Sequence, residues 1–373
     1  MVIKRLNLVR FAPKGKDSFF ETVINRVDEY FENNNISPYA NAEMWLKTVV
    51  VLLMYFVPYA LMVTGVAGSN TLVFMGFWFM MGLGMVGIGT SIMHDANHGT
   101  YSPNKKINNF ISHILEVIGG YTVTWRIQHN VLHHTYTNIG GLDEDIDTMG
   151  ILRLSPRQPR KWFHRYQYLY AWFFYAIMTL YWMTAKDYVQ AIHFKQHNLL
   201  IREKISLKMA LFRITLYKLF YYTYILILPI WLLEIPWYHF IGGFLLMHIT
   251  AGLILSCIFQ PAHIVETSGF AIPVVEDGNK MMEDSWAIHE IVNTTDFSPN
   301  SRIVSWFIGG LNYQIEHHLF TGVCNVHFRN IAPIVRSVTA EFGIPYHVEP
   351  SFFKALRGHV RMLIKLGRND DYK

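Results

Sequence analysis

Two cysteines in 373 residues cannot build a disulfide framework. Cys257 lies inside an apolar run, and Cys324 stands well beyond it. Charge is also scarce. Asp, Glu, Lys and Arg make up 16% of the chain, against about 25% in an ordinary soluble domain. The net charge is +5 with a pI near 9.0, which suits an anionic membrane surface or an acidic substrate. The basic residues form no concentrated stripe, so no nucleic-acid partner is expected. The N-terminus lacks an apolar core segment, and no cleaved signal peptide is expected. Internal repeats and low-complexity tracts are missing too. One glycine motif, Gly82-Leu83-Gly84-Met85-Val86-Gly87, fits the dinucleotide-binding pattern. It sits inside an apolar run with no preceding strand, so close helix packing explains it better.

What the chain has in quantity is apolar and aromatic residues, 51% and 15% of the total. Four runs, 45–66, 71–93, 214–233 and 238–262, reach the roughly 20 residues a helix needs to cross a bilayer. The connections 66–70 and 234–238 are short and carry no Lys or Arg, giving two tight helical hairpins. Lys105, Lys106, Arg202, Lys204, Lys208 and Arg213 flank the other ends. The positive-inside rule then puts both termini and the long polar segments in the cytoplasm. A mean hydropathy of only +0.19 agrees that much of the chain lies outside the bilayer. The expected organisation is a cytoplasmic segment 1–43, a hairpin 44–93, a cytoplasmic segment 94–210, a hairpin 211–262 and a cytoplasmic segment 263–373. The fold class is an all-α integral membrane protein, with four transmembrane helices in two hairpins and a cytoplasmic helical cap. Two further stretches are read as non-spanning. The aromatic run 167–184 suits a helix lying in the membrane interface, because a crossing there would carry the basic segment 186–208 outside. The run 110–123 is too short.

Against this background stand three histidine clusters: His94-Asp95-Ala96-Asn97-His98, His129-Asn130-Val131-Leu132-His133-His134 and Gln314-Ile315-Glu316-His317-His318. Neutral imidazole is the commonest protein ligand for transition metals. His94 and His98 are four apart, as are His129 and His133, so each pair shares one helical face, with His134 on the adjoining face. Gln314, His317 and His318 share a face in the same way. The topology puts His94 at the cytoplasmic end of the second span and His263 at that of the fourth, making His263 the best additional ligand. His248 lies 15 residues before His263, about 22 Å along a helix at 1.5 Å per residue, too far for the same cluster. It is expected to be a neutral, hydrogen-bonded histidine inside the bundle. Eight histidines and a glutamine exceed the three or four protein ligands of one zinc site and suit two metals with open positions. His94–His98 also approaches the zincin pattern, but Asp95 replaces the glutamate that would act as general base.

The succession H-x-x-x-H, H-x-x-x-H-H, Q-x-x-H-H resembles the membrane fatty acid desaturases, and its glutamine resembles the front-end subgroup. Flanking residues are similar as well, in 94–99, in 133–138 and in 311–320. The likeness covers roughly residues 40–345 and comes nearest to the bacterial linoleoyl-CoA desaturases. It implies a non-haem di-iron centre, O2 as oxidant and an acyl-CoA or acyl-lipid substrate. By position, the metal ligands are His94, His98, His129, His133, His134, His263, His317 and His318, with Gln314 acting directly or through a water. Asp95, Asp143, Asp145 and Glu316 are candidates for holding imidazole N–H groups. Arg126, Arg153, Arg157, Arg160 and Lys161 are candidates for a head group or for CoA phosphates, or form a basic face toward anionic lipid. Front-end enzymes often carry a fused cytochrome b5 with a His-Pro-Gly-Gly motif. That motif is absent, so electrons are expected from a separate ferredoxin or cytochrome b5 with its reductase. The family's proline after Leu319-Phe320 is replaced by Thr321-Gly322.

The reaction so implied inserts a cis double bond, on the carboxyl side of an existing one, from the cytoplasmic face of a bacterial inner membrane or the endoplasmic reticulum. An acyl hydroxylase with the same centre is an alternative. From another class, a histidine-rich metal transporter is a rival, though transport would place ligands near the bilayer midplane.

Overall fold

The computed structural model describes residues 9–12, 18–66, 70–276 and 279–369. Four of its helices are long and apolar enough to cross a membrane: Ala42–Val63, Thr71–His98, Leu207–Leu232 and Trp237–His263. Their outward faces are greasy. Leu46, Leu53, Leu72, Phe212, Leu219 and Trp231 are all more than half exposed, as lipid-facing side chains should be. The stretch 167–184 is not a continuous span. Helix Gln167–Ala176 stops at Ile177, a short helix Met178–Tyr181 follows, and the chain then widens into a π turn over Trp182–Lys186. The stretch 110–123 is likewise divided among short helices.

The chain separates into two compact units. Among the described residues, the first comprises Ala42–Ile127 and Trp172–Cys257, and holds most of the membrane-length helices. Asn70 starts the second of these by accepting the backbone N–H groups of Leu72 and Val73 at 3.1 and 3.2 Å. Glycines let the helices touch. A Cβ on Gly84 would lie 2.8 Å from the backbone nitrogen of Tyr55, and one on Gly82 would lie 2.8 Å from the carbonyl oxygen of Met247. The glycine pattern is thus a packing surface. Both short connections lie at one end of this unit, where Gly65, Asn70, Thr71, Leu233, Glu234 and Pro236 line a common cavity of about 340 Å³. Residues 67–69 of the first connection fall outside the described residues.

Two buried polar groups within this unit, His248 and Lys218, are paired, as the low dielectric of a membrane interior demands. His248 Nε2 lies 2.7 Å from the Tyr221 hydroxyl, and its Nδ1 lies 3.2 Å from that of Thr179. Lys218 donates to Asp187 at 2.8 Å and to the carbonyls of Trp182 and Gly119. Neither pair leaves a buried charge or ring nitrogen facing lipid.

The second unit comprises Leu6–Asn41, Gln128–Ala171 and Ile258–Lys373. Its core is amphipathic helix against amphipathic helix. Phe19, Val23, Val27 and Phe31 recur every fourth residue on Ser18–Asn33 and pack with Ile331, Val335 and Val338 of Phe328–Glu341. Among the described residues, sheet is confined to two small pairs, Val274–Glu276 with Asn279–Met281 and Asp296–Phe297 with Val348–Glu349.

Candidate metal centre

His94 and His98 close the second membrane-length helix. A π turn over Ile88–Ile92 precedes them, and Gly99, at φ 80°, ends the helix in the left-handed conformation that glycine favours. Their rings lie 4.7 Å apart, both against Trp125 at 5.6 and 5.9 Å. Asp95 lies 3.6 Å from His94 Nδ1. Arg126 braces this segment, donating to Asn97 Oδ1 at 2.8 Å and to Ser112 Oγ at 2.9 Å, with Glu203 at 3.9 Å.

The other two clusters and His263 meet within the second unit. The second cluster lies on a π turn over Ile127–His133. A π turn closes hydrogen bonds between residues five apart, which brings His129 and His134 into line. Their Nε2 atoms are 3.1 Å apart. Helical spacing alone had put His134 on the adjoining face; the wider turn moves it onto the shared one. The third cluster occupies the short helix Gln314–Leu319, fixed at its start by Asp296 Oδ1, which accepts the Ile315 N–H at 3.0 Å. Ring nitrogens of His133, His263 and His318 lie within 4.8 Å of one another, and so do those of His134, His317 and His318. All of these side chains are buried. Gln314 donates to the Leu311 carbonyl at 2.8 Å and is a polar neighbour of His263.

Three of the rings are oriented from behind. His133 Nδ1 lies 3.1 Å from Asp143 and 3.3 Å from Asp145. His318 Nδ1 lies 2.6 Å from Glu290 Oε2, to which the Thr137 hydroxyl also donates at 2.7 Å. His263 Nδ1 lies 3.4 Å from the Asn293 carbonyl, while its Nε2 is buried and makes no hydrogen bond. An imidazole held at Nδ1 presents Nε2 as a ligand. Two ligands at about 2.1 Å from one metal, at right angles, are separated by about 3 Å; the 3.1 Å between His129 and His134 fits that requirement. The donor set is all imidazole with carboxylate support, the chemistry of a transition-metal site.

Electrostatics favour a cation there. Burial disfavours a charged His133 ring, but Asp143 and Asp145 outweigh it and raise its pKa to about 9. The carboxylates that hold a proton on this ring would equally attract a metal. Burial pushes the Glu290 carboxyl well above its ordinary range. Glu316 turns to Tyr346, whose hydroxyl lies 2.8 Å from it and 2.7 Å from Asp296. Burial raises both carboxyls, Asp296 to about 6.

The basic candidates divide. Arg153 is not a surface cation. It is 2% exposed, and its guanidinium donates to the carbonyls of Pro156, Gln158, Leu366 and Asn369. Arg157, Arg160 and Lys161 stay at the surface. Missed in the sequence was the helix Trp286–Val292. Trp286 Nε1 donates to the His134 carbonyl at 3.0 Å, Glu290 meets His318, and Asn293, just past the helix end, meets His263. These residues stand at i, i+4 and i+7, a polar stripe that a helical reading of 285–296 could have found.

A family-wide sequence profile described as fatty acid desaturase matches residues 69–350. The sn-1 linoleoyl-lipid 6-desaturase of Arthrospira platensis is 36% identical over 96% of this chain and 95% of its own length. A protein of the same name from Synechocystis is 33% identical over 94% and 96%. The acyl-lipid (8-3)-desaturase of Physcomitrium patens is 34% identical over 96% of this chain and 74% of its own. These names favour desaturation over the hydroxylase and transporter readings. The chain belongs to the fatty acid desaturase family, oxidoreductases that introduce double bonds into fatty acyl chains.

Proposed function

We propose that the protein is a front-end desaturase of lipid-linked 18-carbon chains, placing its new cis bond on the carboxyl side of an existing one. Two iron ions are the metals of this reading. Their ligands are His94, His98, His129, His133, His134, His263, His317 and His318, with Gln314 in the third cluster, directly or through a water. When bound, the irons supply the O2 chemistry that removes hydrogen from an unactivated methylene, which no side-chain acid or base can achieve at neutral pH. The observation that carries the proposal is the convergence of the second and third clusters with His263, with Nδ1 of His133, His263 and His318 each held by a carboxylate or carbonyl.

The residues of the chain have the remaining tasks. Asp143 and Asp145 keep His133 in one tautomer and ring orientation, and Asp95 lies beside His94. Intramembrane packing around Tyr221, His248 and Thr179 keeps polar atoms satisfied among apolar walls. Arg157, Arg160 and Lys161 face a head group or anionic lipid from the cytoplasmic side of the membrane. Electrons arrive from a separate ferredoxin or cytochrome b5 with its reductase. The lipid carrier, rather than CoA, is favoured by the printed names of the two cyanobacterial relatives.

Fatty-acid profiling tests this reading. The protein is expressed with an electron donor in a host fed linoleate or oleate, and the lipids and acyl-CoA pool are analysed separately. A new bond at carbon six of linoleate, appearing first in the lipid fraction, is the expected result. His317→Ala should abolish it while the protein remains in the membrane. Activity surviving in His317→Ala would remove that residue from the site, and first appearance in the acyl-CoA pool would overturn the lipid assignment.

A further inference from the structure

The ligands of the proposed centre come from separate stretches of sequence, and something must hold them in register. Three of them are contacted by one short helix that contributes no ligand of its own. On Trp286–Val292, started by the Ser285 hydroxyl accepting the Ile288 N–H, Trp286 reaches the His134 carbonyl and Glu290 reaches His318 Nδ1. Asn293, one residue beyond, accepts at its carbonyl from His263 and pins itself to the His289 carbonyl at 2.8 Å. His289 is buried on the same turn, with Nε2 2.9 Å from the Thr137 carbonyl. Thr137 closes the ring of contacts. Its hydroxyl bonds Glu290 Oε2 and also lies 2.7 Å from the His133 carbonyl.

Glu290 is the acidic member of this arrangement. It is 0% exposed, and among the described residues its hydrogen-bond partners are His318 and Thr137, neither of them Lys or Arg. An acidic side chain placed so deep needs a compensating positive partner, and the nearest source is the imidazole it holds together with whatever that imidazole binds. We propose that Glu290 is the positioning residue for His318, and that the face formed by Trp286, Glu290 and Asn293 sets the mutual geometry of His134, His263 and His318. The inference rests on the metal reading above. Its physical basis is that a carboxylate accepting Nδ1–H fixes the tautomer, makes Nε2 more basic and tightens metal binding by about 10- to 100-fold.

The experiment compares wild type with Glu290→Gln, Glu290→Asp and a surface control, Glu266→Gln, each purified intact in detergent. Metal-free protein is loaded anaerobically with iron(II), and iron release to a chromogenic chelator is followed. Glu290→Gln keeps the shape but replaces the carboxyl with an amide, a weaker acceptor for the Nδ1–H, and should release iron at least about 10-fold faster than wild type. The thermal midpoint of its metal-free form should be unchanged. Glu290→Asp keeps the carboxyl at shorter reach and should fall between; it also serves if the glutamine variant does not fold. Glu266→Gln should match wild type. Wild-type release from both Glu290 variants would overturn the inference while leaving the metal reading intact. A wild-type protein that takes up no iron would overturn both.

Discussion

A histidine becomes a dependable metal ligand only when its far nitrogen is fixed, and the residues that fix it here are of two kinds. Asp143 and Asp145 follow the second cluster closely, within reach of any reading that asks which carboxylates could hold an imidazole. Asp143→Asn should weaken iron binding about 10- to 100-fold, measured by chelator competition, and wild-type affinity would exclude the role. Glu290 was not legible in this way. It stands 28 residues before His318, on a helix whose polar stripe reads in sequence like a solvated face. Burial is what distinguishes the two, and burial is a property of the fold. Another histidine offers a test of stability. His359 is buried, which lowers its pKa to about 4, and its Nδ1 bonds the Ile264 carbonyl at 2.8 Å. The unfolded chain takes up a proton near pH 6.5 that the folded chain refuses until about 4. Stability should therefore fall as pH drops through this window, by up to about 3 kcal/mol. His359→Gln should flatten the pH dependence of the unfolding midpoint, and an unaltered slope would contradict the assignment.

Among elements, the membrane-length helices were the most legible, because a run of some 20 apolar residues leaves few alternatives. Their ends were less so. The second and fourth continue to His98 and His263, beyond the apolar runs, since helical hydrogen bonding does not stop where hydrophobicity does. The π turn at Ile127–His133 could not be read from spacing at all. One extra residue per turn leaves no mark on composition, yet it decides which face His134 joins. Glycines govern the close helix contacts: a Cβ on Gly243 would overlap the ring of Trp78. Gly243→Leu and Gly84→Leu should each destabilise the detergent-solubilised protein by at least about 1–3 kcal/mol, seen as a lower thermal midpoint. Gly76→Leu, where nothing lies within 4 Å of a new Cβ, should be tolerated. Equal losses at all three positions would refute the packing role.

For the molecule as a whole, membrane character follows from the sequence because charge is scarce and apolar runs are long. The side of the membrane on which each segment lies follows only from the distribution of Lys and Arg. Single cysteines added to a chain lacking Cys257 and Cys324 would test it in sealed vesicles. Val66→Cys and Glu234→Cys should label from one side, and Lys105→Cys and Ile303→Cys from the other. The central claim, however, is that the proposed ligand histidines, spread over more than 200 residues from His94 to His318, hold two metals. Iron stoichiometry tests it most directly, measured on anaerobically purified protein together with His94→Ala, His133→Ala and His318→Ala. The account predicts two irons per chain in the wild type and loss of iron in every variant, one from each helical setting. Wild-type protein with no iron, or variants that keep two, would contradict it.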